Sequence, residues 1–200
     1  NASTYTGGTT IQEGTLSARH AQALSQGQVT VATGGTLNID NVALSLANGL
    51  DLSGTGAAGA GALSGSGAAA YTGTVTLVTD SHIGAATAGD QLTLGGVISG
   101  GNRLEKVGDG TLILGNAGNS YSGGTTITAG SLRTSIASAL PDNEAVSVGT
   151  SGTLDLAGHA QSIGTLTGTG AISLGSGTLT VRDGDFSGQI DGSGQLSKTS

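Results

Sequence analysis

The sequence has no cysteine, methionine or tryptophan, and it has a single proline in 200 residues. Without cysteine the chain has no disulfide and no thiolate ligand for a metal. It has no apolar run of about 18 residues, so no segment indicates a membrane-spanning helix. One proline, with no glycine at every third position, excludes a collagen-like chain. The apolar residues that remain are mostly Ala, Leu, Val and Ile, and their ordered pattern indicates a folded chain.

Basic and aromatic side chains are also scarce. Six Lys and Arg residues face 13 Asp and Glu residues, for a net charge of -7, and only three Tyr and one Phe are present. Nucleic-acid or heparin binding needs a cationic patch and usually aromatic rings for stacking. We therefore expect no nucleic-acid partner, and the lack of aromatics also disfavours a stacking platform for carbohydrate.

Glycine is abundant, at 39 residues, and it separates short runs in which every second residue is aliphatic. This alternation predicts β-strands with Leu, Val and Ile on one face and Thr, Ser, Asn and Asp on the other. Helical signals are nearly absent; residues 18–24 and their counterpart 134–140 indicate at most a helical turn or loop. The clearest strand runs are residues 28–31, 36–39, 43–46, 74–78, 91–94, 111–114, 145–148, 171–174 and 178–181.

Two passages in separate parts of the chain are nearly identical: residues 5–11 read YTGGTTI and residues 121–127 read YSGGTTI. A second echo relates residues 98–106 to residues 190–198. Repeats that cannot bury a face alone stack into a solenoid. With short strands and no hairpin spacing, the repeats predict an all-β parallel β-helix of roughly 8–10 rungs, with coils of about 20–25 residues. An antiparallel sandwich is the alternative.

We interpret residues 1–200 as a single continuous β-helix segment, excised from a longer protein because the repeats are cut at both ends. Residues 54–73 differ from the rest: they are rich in Gly and Ala and lack β-branched residues for an inward face. We interpret them as an extended or flexible excursion from the stack, with one weak strand near Leu63.

A longer motif identifies a family resemblance. Residues 106–114 (KVGDGTLIL), 119–127 (NSYSGGTTI) and 130–132 (GSL) closely resemble the autotransporter-associated β-strand repeat of type V secreted passenger domains. Residues 5–16 resemble its second half. The resemblance implies a right-handed, pertactin-like parallel β-helix at the bacterial cell surface or secreted. It also implies a C-terminal outer-membrane β-barrel in the same full-length chain as a partner.

Two sets of residues could suggest a nucleotide, metal or catalytic site. Residues 54–59 match the pattern G-x-G-x-x-G, but no helix of sufficient length follows, so we expect no nucleotide site. His20, His82 and His159 are widely spaced, without a local acidic partner or a G-x-S-x-G elbow. We expect them in surface loops, and we expect no metal, no cofactor and no catalytic residue.

Other polar groups have ordinary explanations. Asp183 and Asp185 beside Arg182 form the densest polar group, which could suggest acid–base chemistry, but we expect a solvated turn. Outward threonines such as Thr74, Thr76 and Thr93 could suggest an ice-binding face, yet regular ranks would need a constant coil length. Tyr5 and Tyr121 occupy equivalent repeat positions, which favours packing at a turn over ligand binding.

We therefore expect a non-enzymatic adhesin or structural stalk, with no small-molecule substrate and a host-surface or self-association partner. Its contact residues are expected within residues 54–73. The alternatives are a segment of a β-helical polysaccharide-degrading enzyme, and a homotypic self-association module. Fold alone does not decide among these functions.

Overall fold

The computed structural model describes residues 3–24, 27–45 and 49–199. Their strands form one 18-stranded sheet in which the strand pairs are parallel. The strands are Thr9–Ala18 (β1), Val29–Asp40 (β2), Ala43–Leu44 (β3), Leu50–Gly54 (β4), Leu63–Ser66 (β5), Ala68–Tyr71 (β6), Val75–Ala85 (β7), Gln91–Leu94 (β8), Ile98–Ser99 (β9), Leu104–Val107 (β10), Thr111–Leu114 (β11), Thr125–Thr134 (β12), Val146–Asp155 (β13), Gln161–Gly168 (β14), Ala171–Ser173 (β15), Thr178–Phe186 (β16), Gln189–Asp191 (β17) and Gln195–Lys198 (β18).

Each strand pairs with the strand that lies one coil further along the chain. Thr9 pairs with Val29, whereas Leu50 pairs with Val75 across a longer coil. Leu179 pairs with Leu196 across a shorter one. The chain thus forms a parallel β-solenoid of about nine coils, which confirms the predicted fold class. Coil length varies, and the turns absorb the difference together with register shifts within the pairs β1–β2, β4–β7 and β12–β13.

The predicted strand runs lie within these strands to within one residue at either end, with one exception. In the run 43–46, Ala43 and Leu44 form β3, whereas residue 46 lies outside the described residues. Residues 19–24 and 135–140 contain turns and bends and no α-helix. In the part of the chain that the structure describes, no helix is long and apolar enough to cross a membrane.

The core consists of inward side chains that stack from coil to coil. Because side chains alternate across a strand, residues in register on neighbouring strands fill the same position of successive coils. Burying a Leu or Ile side chain contributes about 1.5–3 kcal/mol. One such column, which we name the inner ladder, is buried except at its first residue and consists of Leu16, Leu37, Leu63, Ile83, Lys106, Ile127 and Val148.

Glycines at the turns let successive coils approach closely. A Cβ on Gly110 would lie 2.5 Å from the carbonyl oxygen of Thr87 and 2.6 Å from that of Asp90. Gly130, one coil later, has a φ of 64°, and its Cβ would lie 2.5 Å from the carbonyl oxygen of Gly110. Main-chain atoms so close leave no space for a side chain, which explains the glycine in the repeated phrase Gly-Thr-Leu or Gly-Ser-Leu.

The interpretation of residues 54–73 as an excursion is wrong for most of their length, although the strand expected near Leu63 is present as β5. Residues 55–61 do leave the strands and include a short 3-10 helix, Ala57–Gly59. The rest forms β5 and β6, and β5 pairs with both β2 and β7. Small residues are required there because the coil is tightly packed: a Cβ on Gly65 would lie 2.8 Å from the Cβ of Leu92. The Gly/Ala composition therefore reflects a crowded interior.

Candidate functional site

The densest charged group at the surface spans three successive coils. Nε2 of His82 lies 3.3 Å from Oε2 of Glu105, because β7 and β10 place these residues side by side. A guanidinium nitrogen of Arg103 lies 3.7 Å from the same carboxylate oxygen and 3.3 Å from Oδ2 of Asp80. The hydroxyl of Thr128 donates to Oε1 of Glu105 at 2.7 Å. We name these five residues the charged cluster.

The charged cluster corrects the expectation for His82. His82 lies on strand β7 rather than in a surface loop, and its acidic partner, Glu105, lies on β10, one coil later in the chain. Nδ1 of His82 is buried and has no hydrogen-bond partner among the described residues. The cluster lies on the outside of the stack, so its ion pairs tie coils together at the surface.

The other two histidines lie in turns, as expected. Nδ1 of His20 accepts the N–H of Gln22 at 3.2 Å. Nδ1 of His159 lies 3.2 Å from the carbonyl oxygen of Leu156 within a tight turn. Over residues 3–24, 27–45 and 49–199, no group of three or more His, Asp and Glu residues could hold a metal ion.

The structure places Arg182, Asp183 and Asp185 on strand β16, so the expected turn is wrong, although the three residues are exposed to solvent. Oδ1 of Asp183 accepts the N–H of Gly184 at 2.8 Å. A cavity of about 220 Å³ adjoins this strand, and its lining is mainly apolar. Asp183 is the one carboxylate among its lining residues, which are Leu166, Val181, Asp183, Gly184, Phe186, Ile190, Leu196, Ser197 and Lys198. Glycoside hydrolysis ordinarily uses two carboxylates, so this cavity does not match that chemistry.

The G-x-G-x-x-G passage, residues 54–59, runs from the last residue of β4 into the three-residue 3-10 helix. A dinucleotide site instead needs the glycines to open a full α-helix, whose N-terminus holds the phosphates. The passage serves as a bend: Gly54 and Gly56 have φ values of 80° and 78°.

Outward polar residues form rows that run along the stack. Coil length varies, as the sequence indicated, and the register shifts within the pairs β1–β2, β4–β7 and β12–β13. Thr76 belongs to a row with Thr10, Thr30, Asp51 and Ser99. Thr93 lies in a different row, between Ala70 and Ile113. The row that runs through the charged cluster, which we name the Glu105 row, consists of His82, Glu105, Thr126, Ser147, Thr167 and Asp185. Charged and apolar residues interrupt the threonines, so no row is a uniform threonine rank.

Comparison with known proteins shows which family this chain is similar to. Residues 1–18 and 104–133 match the passenger-associated-transport-repeat family. The Adhesin BmaC autotransporter of Brucella suis biovar 1 (strain 1330) is 35% identical to the chain over 86% of the chain's length. The chain is an autotransporter passenger solenoid. The chain spans 6% of the length of that relative. No solved structure matches it significantly.

Two buried amide side chains join coils of the passenger where strand pairing is interrupted. Oδ1 of Asn119 accepts the N–H of Ile98 in the preceding coil at 2.8 Å, and Nδ2 donates to the carbonyl of Ala139 in the following coil at 2.8 Å. Gln161 makes both of its hydrogen bonds to the preceding coil: it accepts the N–H of Leu140 at 3.0 Å and donates to the carbonyl of Ile136 at 2.9 Å. Each amide acts as a substitute for a peptide group, which satisfies both a main-chain donor and an acceptor.

The tyrosines of the two repeat copies make the same hydrogen bond. The hydroxyl of Tyr121 lies 2.8 Å from Oγ1 of Thr125, and that of Tyr5 lies 2.6 Å from Oγ1 of Thr9. Tyr121 is fully buried, which confirms packing at a turn, and burial raises the pKa of its hydroxyl. Tyr5, in the first coil, is 45% exposed, so its packing is only partial. Sequence reasoning found the tyrosines, but it missed the amide bridges because their partners lie one coil away.

Proposed function

We propose that this passenger solenoid is a non-catalytic adhesin or adhesin stalk, exposed on the bacterial surface or secreted. The observation that carries the proposal is the continuous stack with polar rows along its outside. An elongated, regular stack displays side chains at fixed spacing and holds attached parts away from the cell. The relative named as an adhesin supports the same function.

The contacting surface is proposed to comprise the Glu105 row and the loop of residues 55–61. The row presents hydroxyl and charged groups about 4.8 Å apart from one coil to the next. In the loop, Ala58 to Ala60 are exposed, and Ala58 has a φ of 51°. The contact region expected from the sequence is thereby narrowed to this loop, because β5 and β6 belong to the stack.

Competition with adhesion tests the adhesin function. Soluble chain, added in excess, is expected to reduce the attachment of bacteria that carry the full-length protein to host cells. A variant in which residues 55–61 are replaced by a short Gly-Ser turn should compete less well. The double variant Thr126→Lys and Thr167→Lys tests the Glu105 row in the same assay.

A stalk gives a different result. Soluble chain then fails to compete, yet deletion of these coils from the full-length protein still lowers adhesion. Unchanged adhesion after the deletion, with surface display preserved, would contradict both forms of the proposal. In the full-length protein, the C-terminal outer-membrane β-barrel expected for this family is proposed to hold the passenger outside the cell, which protease treatment of intact bacteria tests.

Three further outcomes would each indicate a different function. Release of reducing sugar ends from a polysaccharide panel, abolished by Asp183→Asn, would indicate an enzyme. Tagged cells that lack the protein can be mixed with untagged cells that carry it. If the tagged cells join the aggregates, the protein binds another cell component. Aggregation only when both strains carry it would indicate homotypic self-association.

A further inference from the structure

Both lysines of the chain stand in register with buried aliphatic residues of a neighbouring coil. Lys106 pairs with Ile83 on one side and Ile127 on the other, within the otherwise aliphatic inner ladder, and it is fully buried. Lys198 pairs with Val181, which is also buried. Lysine is almost never fully buried unless its ammonium group is paired, so the partners of Lys106 need an explanation.

The partners of Lys106 are three main-chain carbonyls. Its Nζ donates to the carbonyl oxygens of Val107 at 3.0 Å, Gly108 at 2.7 Å and Ala129 at 3.1 Å. Val107 is the last residue of β10 and Gly108 begins the turn after it, whereas Ala129 lies in the next coil. An ammonium group has three N–H donors, and a neutral amine has two. The three acceptors therefore match the charged form.

The charged form is also the one present at neutral pH. Burial lowers the pKa of Lys106 to about 8, and the nearby carboxylate of Asp109 opposes this shift. An ammonium with a pKa of about 8 remains mostly protonated at pH 7. No carboxylate makes a direct ion pair with Nζ among the described residues, so carbonyl dipoles provide its immediate surroundings.

Lys198 shows that this arrangement is not peculiar to one coil. Its Nζ donates to the carbonyl oxygens of Thr199 at 3.2 Å and Arg182 at 3.1 Å. Both lysines stand third in a Leu-x-Lys phrase, and both donate to the carbonyl of the next residue in the chain and to a carbonyl of a neighbouring coil. Lys198 is exposed, so its ammonium group makes these contacts while it is also in contact with solvent.

We propose that Lys106 is an internal ammonium clamp, which closes the turn after β10 onto the following coil and prevents the stack from opening locally at this junction. At this position of the inner ladder, three hydrogen bonds from a charged ammonium group to main-chain carbonyl oxygens take the place of an apolar side-chain contact. Such bonds are stronger than neutral ones, and their loss leaves buried carbonyls without a donor.

The test compares Lys106→Met with Lys198→Met in the chain. Methionine keeps the length and the apolar stem of lysine but donates no hydrogen bond. We expect K106M to raise the unfolding equilibrium constant about 100-fold, because orphaned carbonyls outweigh the relieved burial of charge. We expect K198M to change it less than about threefold, as for an exposed side chain. Amide hydrogen exchange in residues 129–132 should become faster in K106M before exchange rises elsewhere.

A rescue experiment separates the clamp from simple packing. Lys106→Ala leaves space for the missing three carbons and nitrogen, which n-propylammonium supplies. We expect n-propylammonium to reverse at least a tenth of the destabilisation, whereas n-propanol, which has the same number of heavy atoms and is uncharged, should have a smaller effect. Equal rescue by both compounds would overturn the proposal, as would K106M with unchanged or increased stability.

The unaltered chain provides a readout if the variants do not fold. A ¹⁵N-labelled Lys106 side chain should show a slowly exchanging NH₃⁺ signal at pH 7, with hydrogen-bond couplings to carbonyl carbons. A neutral amine at pH 7, or an NH₃⁺ group that exchanges as fast as that of Lys198, would contradict a buried charged clamp.

Discussion

Replacing Asn119 with aspartate should destabilise the solenoid and make its stability fall as pH rises. Asn119 is buried; its side chain accepts the N–H of Ile98 and donates to the carbonyl of Ala139, both at 2.8 Å. An ionised aspartate keeps the acceptor but has no donor. It places a negative oxygen against the carbonyl of Ala139 in a site shielded from water.

The loss of stability expected for Asn119→Asp is the sum of two costs. A buried carbonyl without a donor costs about 1–3 kcal/mol. Burial of an unpaired carboxylate adds a penalty of several kcal/mol, which protonation can relieve. We therefore expect N119D to lose about 3–5 kcal/mol at pH 7. Asn119→Leu loses both hydrogen bonds and should cost about 2–4 kcal/mol, without pH dependence.

The sign of the pH effect follows from the two protonation states. Burial raises the folded-state pKa of the new carboxyl above its unfolded value of about 3.9. Below that value both states are protonated, and the acid can donate to the carbonyl of Ala139. As the pH rises towards the folded-state pKa, the unfolded state releases its proton first, so stability falls.

Denaturant unfolding at several pH values between 4 and 8, followed by circular dichroism, measures these effects. The matched control is Asn116→Asp in the same coil. Asn116 accepts the N–H of Gly118 at 2.8 Å and donates to the carbonyl of Gly95 at 3.0 Å, but it is only half-buried. N116D should cost about 1 kcal/mol or less. The same pH profile for both variants would refute the reasoning.

Three further predictions concern single positions. Tyr121→Phe removes a buried hydrogen bond and should cost about 1 kcal/mol in denaturant unfolding, whereas Tyr5→Phe, which is partly exposed, should cost less. Gly110→Ala should be destabilising by about 2 kcal/mol or more, because its Cβ would meet main-chain oxygens; Gly89→Ala, with no atom within 4 Å, should stay within about 0.5 kcal/mol by the same measurement. The hydrogen bonds that Asp90 accepts from main-chain N–H groups lower its pKa. Asp90 therefore stabilises the fold at pH values above its unfolded-state pKa, and this stabilisation is lost as the pH falls through its folded-state pKa. Asp90→Asn should reduce the loss of stability at acid pH, measured by denaturant unfolding at several pH values.

The local structure of the coils was predictable because it depends on short-range alternation. In residues 111–114, Leu112 and Leu114 point inward and become buried in β11, as the two-residue period requires. The same alternation also places Lys106 inward, at the second position after Leu104. The signal for the clamp was thus present, although its acceptors were not, because Ala129 lies in the next coil.

The contacts between coils were not predictable in the same way. The offset in sequence between stacked residues is smaller for the pair Thr9 and Val29 than for the pair Leu50 and Val75. The offset from His82 to Glu105 therefore could not be read from the repeat length. The Gly/Ala tract was misinterpreted for a related reason: the need for small residues arises from Leu92, which lies in the next coil.

The sequence alone determined that the chain alternates inward aliphatic and outward polar residues, turns at glycine and repeats, and these features are sufficient for a parallel solenoid. The tertiary structure decided which residues of different coils meet: the charged cluster, the bridging amides and the carbonyls around Lys106. The physical reason is that alternation is a property of each strand, set by backbone geometry, whereas lateral neighbours depend on the summed length of every intervening turn. The repeated YTGGTTI and YSGGTTI phrases show both effects, since their tyrosines make the same hydrogen bond but are buried to different extents.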